Sequence, residues 1–263
     1  MIRTFTRSSL PSAFALLLCL CASGAVAEGR SVSCLGRLEP GDGVRRLASP
    51  TGGGVIGEIN VREGDSVEEG QIIAALATRT LHLAEVDRLE AELEQAQREA
   101  TRLQKLSRGN AASEAKYDAA AIDVRVAEAG LSAARAQVAL AEIRAPIAGE
   151  VLEIHARAGE RIGPEGVLEL GQTDRMVVVA EVYETDIGFV AVGQPATMKS
   201  PALDAPLTGR VERIGMKIGR MDVIGTDPIA KTDARVVEVR VALDEPARAR
   251  ALTHLQVEVE IGP

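Results

Sequence analysis

Tryptophan is absent from the 263-residue sequence, and aromatic residues together make up only 2% of it. A single large core built around aromatic side chains is therefore disfavoured, and modular or elongated construction becomes the better expectation. Cysteine is almost as scarce: Cys19 and Cys21 fall near the N-terminus, and only Cys34 lies beyond it. A chain starting after residue 27 has no intrachain disulfide available to it. Positive charge is in deficit, with a formal net charge of -8, which argues against a phosphate-binding surface and against nucleic acid as a partner. Beyond the first 27 residues no apolar run approaches the ~20 residues of a spanning helix.

Those first residues read as an export signal. Arg3 and Arg7 supply the positive end, Ala13 to Ala22 an apolar run, and Ala25-Val26-Ala27 a small-x-small cleavage site. The expected mature chain begins at Glu28 in an oxidising compartment. Retention of the segment as an anchor and lipidation of Cys21 stay open, although Leu20 stands where a bacterial lipobox wants a small residue. Cys34, in the strand-like "SVSCLGRLEP", is expected to be a buried small apolar residue rather than a functional thiol.

An internal repeat organises the middle of the chain. "SPTGGGVIGEINVREGDSVEEGQIIAAL" and "APIAGEVLEIHARAGERIGPEGVLEL" align Pro50 with Pro146, Gly54 with Gly149, Ile59 with Ile154, and Gly64-Asp65 with Gly159-Glu160. Each copy holds short strands and glycine turns, too few residues to bury a core alone, so the two are expected to pack together.

Between the copies the period changes. Val86, Leu89, Leu93, Ala96, Ala100 and Leu103 recur at spacings of three and four, and so do Tyr117, Ala120, Val124, Ala127, Leu131, Ala134, Val138 and Ala141. This is the rhythm of a coiled-coil seam. Neither run contains proline, and a short connection predicts an antiparallel hairpin with arms of about 40–45 Å. At its tip, Gly109-Asn110 marks the stop of the first helix near Ser107, and Ser113 is the expected N-cap of the second, with Glu114 in its first turn. Leu106 lies off the seam and shares a face with Arg102, four residues earlier. An apolar anchor beside a fixed charge fits a docking contact. An ordinary surface charge and a local helix-end cover are the competing readings.

After Gly171 strand patterns return in Val177 to Tyr183, "LTGRVERIGM", "DARVVEVRVAL" and "LQVEVEI". With the strand near Val32 to Leu38 they predict a small closed barrel, and Glu184 to Val190 predicts a short helix at one of its ends. No catalytic set is evident: His82, His155 and His254 fall in three predicted modules, and no serine or cysteine has a nucleophile's setting. Asp222, Asp227 and Asp233 lack the alternation of a calcium loop. Met176, Met198, Met216 and Met221 do not form a thioether cluster and are expected to pack in the barrel. No catalytic, cofactor or metal site is expected.

The split module, the hairpin and the barrel together resemble the HlyD-type periplasmic adaptors, or membrane fusion proteins, over nearly the whole mature chain. The best motifs are "APIAGEVLEIHARAGE" and "VVVAEVYETDIGFVAVGQPA". "RVERIGMKIGRMDVIGTDPIAKTDARVVEVRVALDEP" and "LTHLQVEVEI" are similar to the DevB branch. The resemblance implies a mixed α+β fold, a biotinyl/lipoyl-like β domain split by an antiparallel coiled-coil hairpin and followed by a β-barrel. The expected division is a signal at 1–27, a leading strand of the barrel at 28–47, the split domain at 48–78 and 143–171, the hairpin at 79–142, and the barrel at 172–263. The carrier chemistry of true lipoyl domains is excluded, because no lysine lies between Arg45 and Lys105 and their acylated side chain has no equivalent.

The same resemblance implies a non-enzymatic adaptor in the periplasm, associated with the inner membrane. Its implied partners are an inner-membrane ABC permease and ATPase, a TolC-like outer-membrane channel, and further copies of itself in a hexamer. Arg102, Leu106 and Ser113 match the Arg-x3-Leu-x6-Ser tip motif of adaptors that dock on such channels. By that analogy the arginine hydrogen-bonds the channel's helical tip, the leucine packs in its groove, and the serine combines capping with contact. Two readings compete: an adaptor of a proton-driven (RND-type) multidrug pump, and a free-standing periplasmic scaffolding or binding protein.

Overall fold

The computed structural model describes residues 30–106, 111–221 and 235–262. The predicted export signal, the Gly109-Asn110 turn and Asp222, Asp227 and Asp233 lie outside these residues. The chain begins with β1 (Val32–Pro40), β2 (Arg45–Leu47), β3 (Ile56–Ile59), β4 (Ser66–Val67) and β5 (Ile72–Leu76). Two long helices follow, α1 (Arg79–Leu106) and α2 (Ala111–Leu140). After them come β6 (Glu142–Arg144), β7 (Gly149–Ile154), β8 (Leu168–Gly171), β9 (Met176–Tyr183), β10 (Pro195–Lys199), β11 (Leu207–Arg220), β12 (Arg235–Leu243) and β13 (Gln256–Ile261).

The two repeat copies build one sandwich. One sheet has the order β2-β8-β7-β4 and takes strands from both copies, while the other, β3-β5-β6, joins two strands of the first copy to the strand that leads into the second. Equivalent residues of the copies fill the same core: Ile56 and Val151, Val61 and Ala156, and Ile73 and Leu168 are all buried. Neither copy could exclude water from these side chains by itself, which is why the sequence between them can be displaced into a hairpin without breaking the module.

The helices lie against each other along their length. All fourteen predicted seam residues are half-buried or buried, with Ala120, Leu131, Ala134 and Ala141 the buried ones. Arg135 reaches Glu90 at 2.7 Å, and Gly130 faces Leu89, so the chain runs back along itself. No residue of α1 is fully buried, because a two-helix rod has no second layer to cover its seam. At the root of the rod, the Arg79 Nε donates to Glu142 Oε1 at 2.9 Å and Arg144 Nη2 to Glu142 Oε2 at 2.6 Å. Burial works against the Glu142 charge, but the hydrogen bonds from Arg79 and Arg144 prevail and hold its pKa below the usual carboxylate range.

Six strands close into a barrel in the order β1-β13-β10-β11-β12-β9. Valines dominate, and Val178, Val182, Val239, Val241, Val257 and Val259 fill the interior with Leu38, Met176 and Met198. Branched side chains suit this pleated, closed surface. Cys34 belongs to the same core. Burial, and secondarily the Glu181 carboxylate, push its thiol up to about 12, so it stays protonated and unreactive at neutral pH.

Four expectations are corrected. Arg45–Leu47 belongs to the split module, pairing with Leu168–Leu170, and not to the barrel's leading strand; the chain changes module at the turn after Pro40. The barrel includes β10, which the sequence reading omits because it is five residues long and begins with proline. The helix expected over Glu184 to Val190 shrinks to a 3-10 turn at Ile187–Phe189. Met216 does not pack in the barrel but stands fully exposed on β11, where the register slips between Ile214 and Ile218.

Candidate functional site

The far end of α1 carries the predicted contact residues. Arg102 and Leu106 stand one turn apart on one face, and Leu106, the last residue of the helix, is 62% exposed. Leu103 continues the seam and is half-buried, which leaves Leu106 with no intramolecular packing duty comparable to it. Both residues border a shallow surface depression of about 500 Å³ that also includes Arg98, Thr101 and Lys105. Arg98 and Arg102 are each paired with a glutamate of the same helix, Glu94 at 3.2 Å and Glu99 at 2.8 Å, so the face sets an exposed leucine among exchangeable ion pairs, a surface able to offer an apolar anchor and donors to a partner.

Arg102 is not idle in the isolated chain. Its Nη2 donates to Glu99 Oε1 at 2.8 Å, one turn back on the same helix. That hydrogen bond, followed by the attraction of the Glu99 charge, raises the arginine's pKa further above its ordinary value, so the guanidinium is charged at every accessible pH. Both side chains are open to water, and exchanging this pair for an external acceptor costs little.

Ser113 occupies a different place from the one expected. α2 starts at Ala111, so Ser113 sits inside the first helical turn rather than at the cap. Arg102 and Leu106 are thus brought together by the helix period.

A second constellation escapes sequence reasoning. On the outer row of the split module, Glu169 of β8 pairs across the sheet with Arg46 of β2 on one side and Glu153 of β7 on the other. His155 lies beside both glutamates, its Nε2 3.7 Å from Glu169 Oε1 and its Nδ1 3.8 Å from Glu153 Oε1. The available signal was the Glu-x-His alternation in "LEIHA", which puts residues 153 and 155 on one side of an extended chain; the partner glutamate is 14 residues further on and needs the register.

Between the modules, Arg250 of the barrel donates to Glu150 of β7, and the Thr173 hydroxyl donates to the same carboxylate. The Arg250 hydrogen bond is the main cause, and Thr173 a further one, of a Glu150 pKa held below the usual range. Nearby, Pro40 packs on Gly171 so closely that any Cβ there would collide with its ring.

Residues 47–168 match the family described as the CzcB-like barrel-sandwich hybrid domain. The chain is 30% identical over 167 residues to the probable efflux pump periplasmic linker protein SepA of Pseudomonas putida, a match covering 63% of this chain and 41% of that one. It is 26% identical over 165 residues to hemolysin secretion protein D of Escherichia coli, covering 62% and 33%. The chain spans less than two-thirds of the length of the curated relatives it matches. Among solved structures, a MacA-MexA chimera carrying the Pseudomonas aeruginosa MexA α-hairpin superimposes with a TM-score of 0.70 at 19% identity, over 89% of this chain and 82% of that one. At that identity the likeness is one of fold.

Proposed function

The chain belongs to the HlyD-type adaptors, also called membrane fusion proteins, and on that premise we propose that it is the periplasmic adaptor subunit of a tripartite ABC-type exporter. In this reading it links an inner-membrane permease and ATPase to a TolC-like outer-membrane channel. The split module and barrel of several copies, six in the family's pattern, pack side by side, and the hairpins form the conduit that meets the channel. The chain supplies positioning and no reaction of its own; ATP hydrolysis belongs to the transporter. The N-terminal segment read as an export signal supports a periplasmic location.

The observation that carries the proposal is the exposed Arg102–Leu106 face at the end of the rod. A hairpin stabilised only by its own seam has no use for an uncovered leucine and a cluster of cations at its tip. Docking gives both a role: Leu106 enters an apolar groove, and Arg102 leaves Glu99 for acceptors on the channel. The choice of an ABC transporter rests on the DevB-like stretches of the barrel. The similarity to a probable efflux pump linker protein favours a pump of another class as the second reading.

The test is co-purification of the tagged adaptor with its outer-membrane channel. Arg102→Asp is expected to abolish capture while the circular dichroism helix signal stays unchanged; retained capture overturns the tip assignment. Co-purification with a proton-driven pump instead of an ABC permease overturns the transporter class.

A further inference from the structure

The strand register of the split module sets two like charges against each other. Glu153 on β7 stands directly opposite Glu169 on β8, an arrangement that disfavours the sheet unless a cation lies near both. His155 adds an imidazole to the same place, and one oxygen of each carboxylate and one ring nitrogen all lie within 4.8 Å of one another. The Nε2 of His155 is buried and makes no hydrogen bond.

The spacing discriminates between a hydrogen bond and a shared ion. The 3.7 Å from Nε2 to Glu169 Oε1 is too long for an N–H···O bond. That pair is spaced as one metal needs, since bonds of about 2.0–2.2 Å to zinc put neighbouring donors roughly 3.2–3.7 Å apart; Glu153, which is exposed and approaches Nδ1 at 3.8 Å, has to turn to share the ion. Charge points the same way. Arg46 donates to Glu169 Oε1 at 2.8 Å and approaches Glu165 at 3.6 Å, so among these side chains one guanidinium faces three carboxylates. Arg46 is largely exposed and can swing toward Glu165, which frees Glu169 Oε1, the oxygen that lies near His155.

We propose that Glu153, His155 and Glu169 form a binding site for one divalent transition-metal ion of the zinc type. One ring nitrogen of His155 and the two carboxylates are the protein donors, and water fills the remaining position. One imidazole with two carboxylates is the donor set that borderline ions prefer, whereas magnesium and calcium take all-oxygen shells. The three donors come from β7, its extension and β8, a rigid paired segment, so the site is built into the module rather than assembled from loops.

Isothermal titration of the intact exported chain, free of any histidine tag, with zinc chloride tests this. One ion per chain is expected, with magnesium giving no competing heat, and thermal unfolding shifting upward as zinc is added. His155→Ala and Glu169→Gln should each weaken zinc binding at least about tenfold. Glu153→Gln, at an exposed position, gives the same readout should either of the others fail to fold. Absence of zinc binding, equal binding of magnesium, or zinc affinity unchanged in these variants overturns the proposal.

Discussion

The amide of Gly64 donates to the carbonyl of Val151 at 2.8 Å, and its repeat counterpart Gly159 donates to Ile56 at the same distance. The return bonds match too, from Val151 to Asp65 and from Ile56 to Glu160, each at 2.9 Å. Each glycine turn is closed by its own acid: Asp65 accepts from the Arg62 amide at 2.7 Å and Glu160 from the Arg157 amide at 2.9 Å. The two copies therefore hold each other by exchanging identical contacts about a local two-fold axis. That reciprocity makes a split module stable although helices of 28 and 30 residues interrupt it.

Both turns demand a left-handed backbone, with φ of 84° at Gly64 and 87° at Gly159. No atom obstructs a Cβ at either site, so Gly64→Ala and Gly159→Ala isolate the conformational cost. Each is expected to destabilise the chain by about 1–2 kcal/mol, and the two values should agree within about 0.5 kcal/mol because the environments are equivalent. Urea unfolding monitored by circular dichroism measures both.

The repeat was legible because turn glycines, following acids and short apolar strands carry local signatures that survive at fixed spacing. The hairpin seam was legible for the same reason: the period of a helix is written in consecutive residues. What the sequence concealed depends on pairing. Arg45–Leu47 alternates too briefly to announce its partner β8, and the meeting of His155 with Glu169 exists only once β7 and β8 are in register.

The root of the hairpin is expected to weaken in acid. Glu142 is buried and its pKa is depressed in the folded chain. A depressed carboxylate stabilises the fold above its unfolded pKa, about 4.3, and that contribution fades as pH falls through the lower folded value. Stability from this site should thus be complete at neutral pH and lost below about pH 4. Arg79→Ala should remove about 1–3 kcal/mol at pH 7, less than a fully buried pair because Arg79 is 30% exposed. The same substitution should flatten the acid limb of the unfolding curve, and pH-dependent denaturation checks both.

Glu150 gives an independent acid-sensitive contact between the barrel and the split module. With Arg250 replaced by alanine, Glu150 keeps only the Thr173 hydroxyl as a charge-stabilising partner. Its pKa is expected to move up toward the ordinary carboxylate value, readable by NMR titration of the side-chain carboxyl. An unmoved Glu150 pKa in Arg250→Ala would show that Thr173 alone holds the carboxylate ionised.

At the tip, docking and helix stability draw on the same arginine, and the energetics separate them. The Arg102–Glu99 pair is exposed on both sides, so solvent screening leaves it little weight in the stability of the helix. Glu99→Ala should leave helicity unchanged and channel capture equal or stronger, because the guanidinium no longer has to leave an internal partner. Leu106→Ala should weaken capture by about tenfold or more, the scale of a buried interface anchor, with the melting curve little moved because Leu106 is largely exposed. Leu106→Asp should abolish capture by placing a carboxylate in an apolar groove. If Leu106→Ala lowered thermal stability and capture together, the leucine would be a cover for the helix end, and the contact would have to be sought elsewhere on the rod.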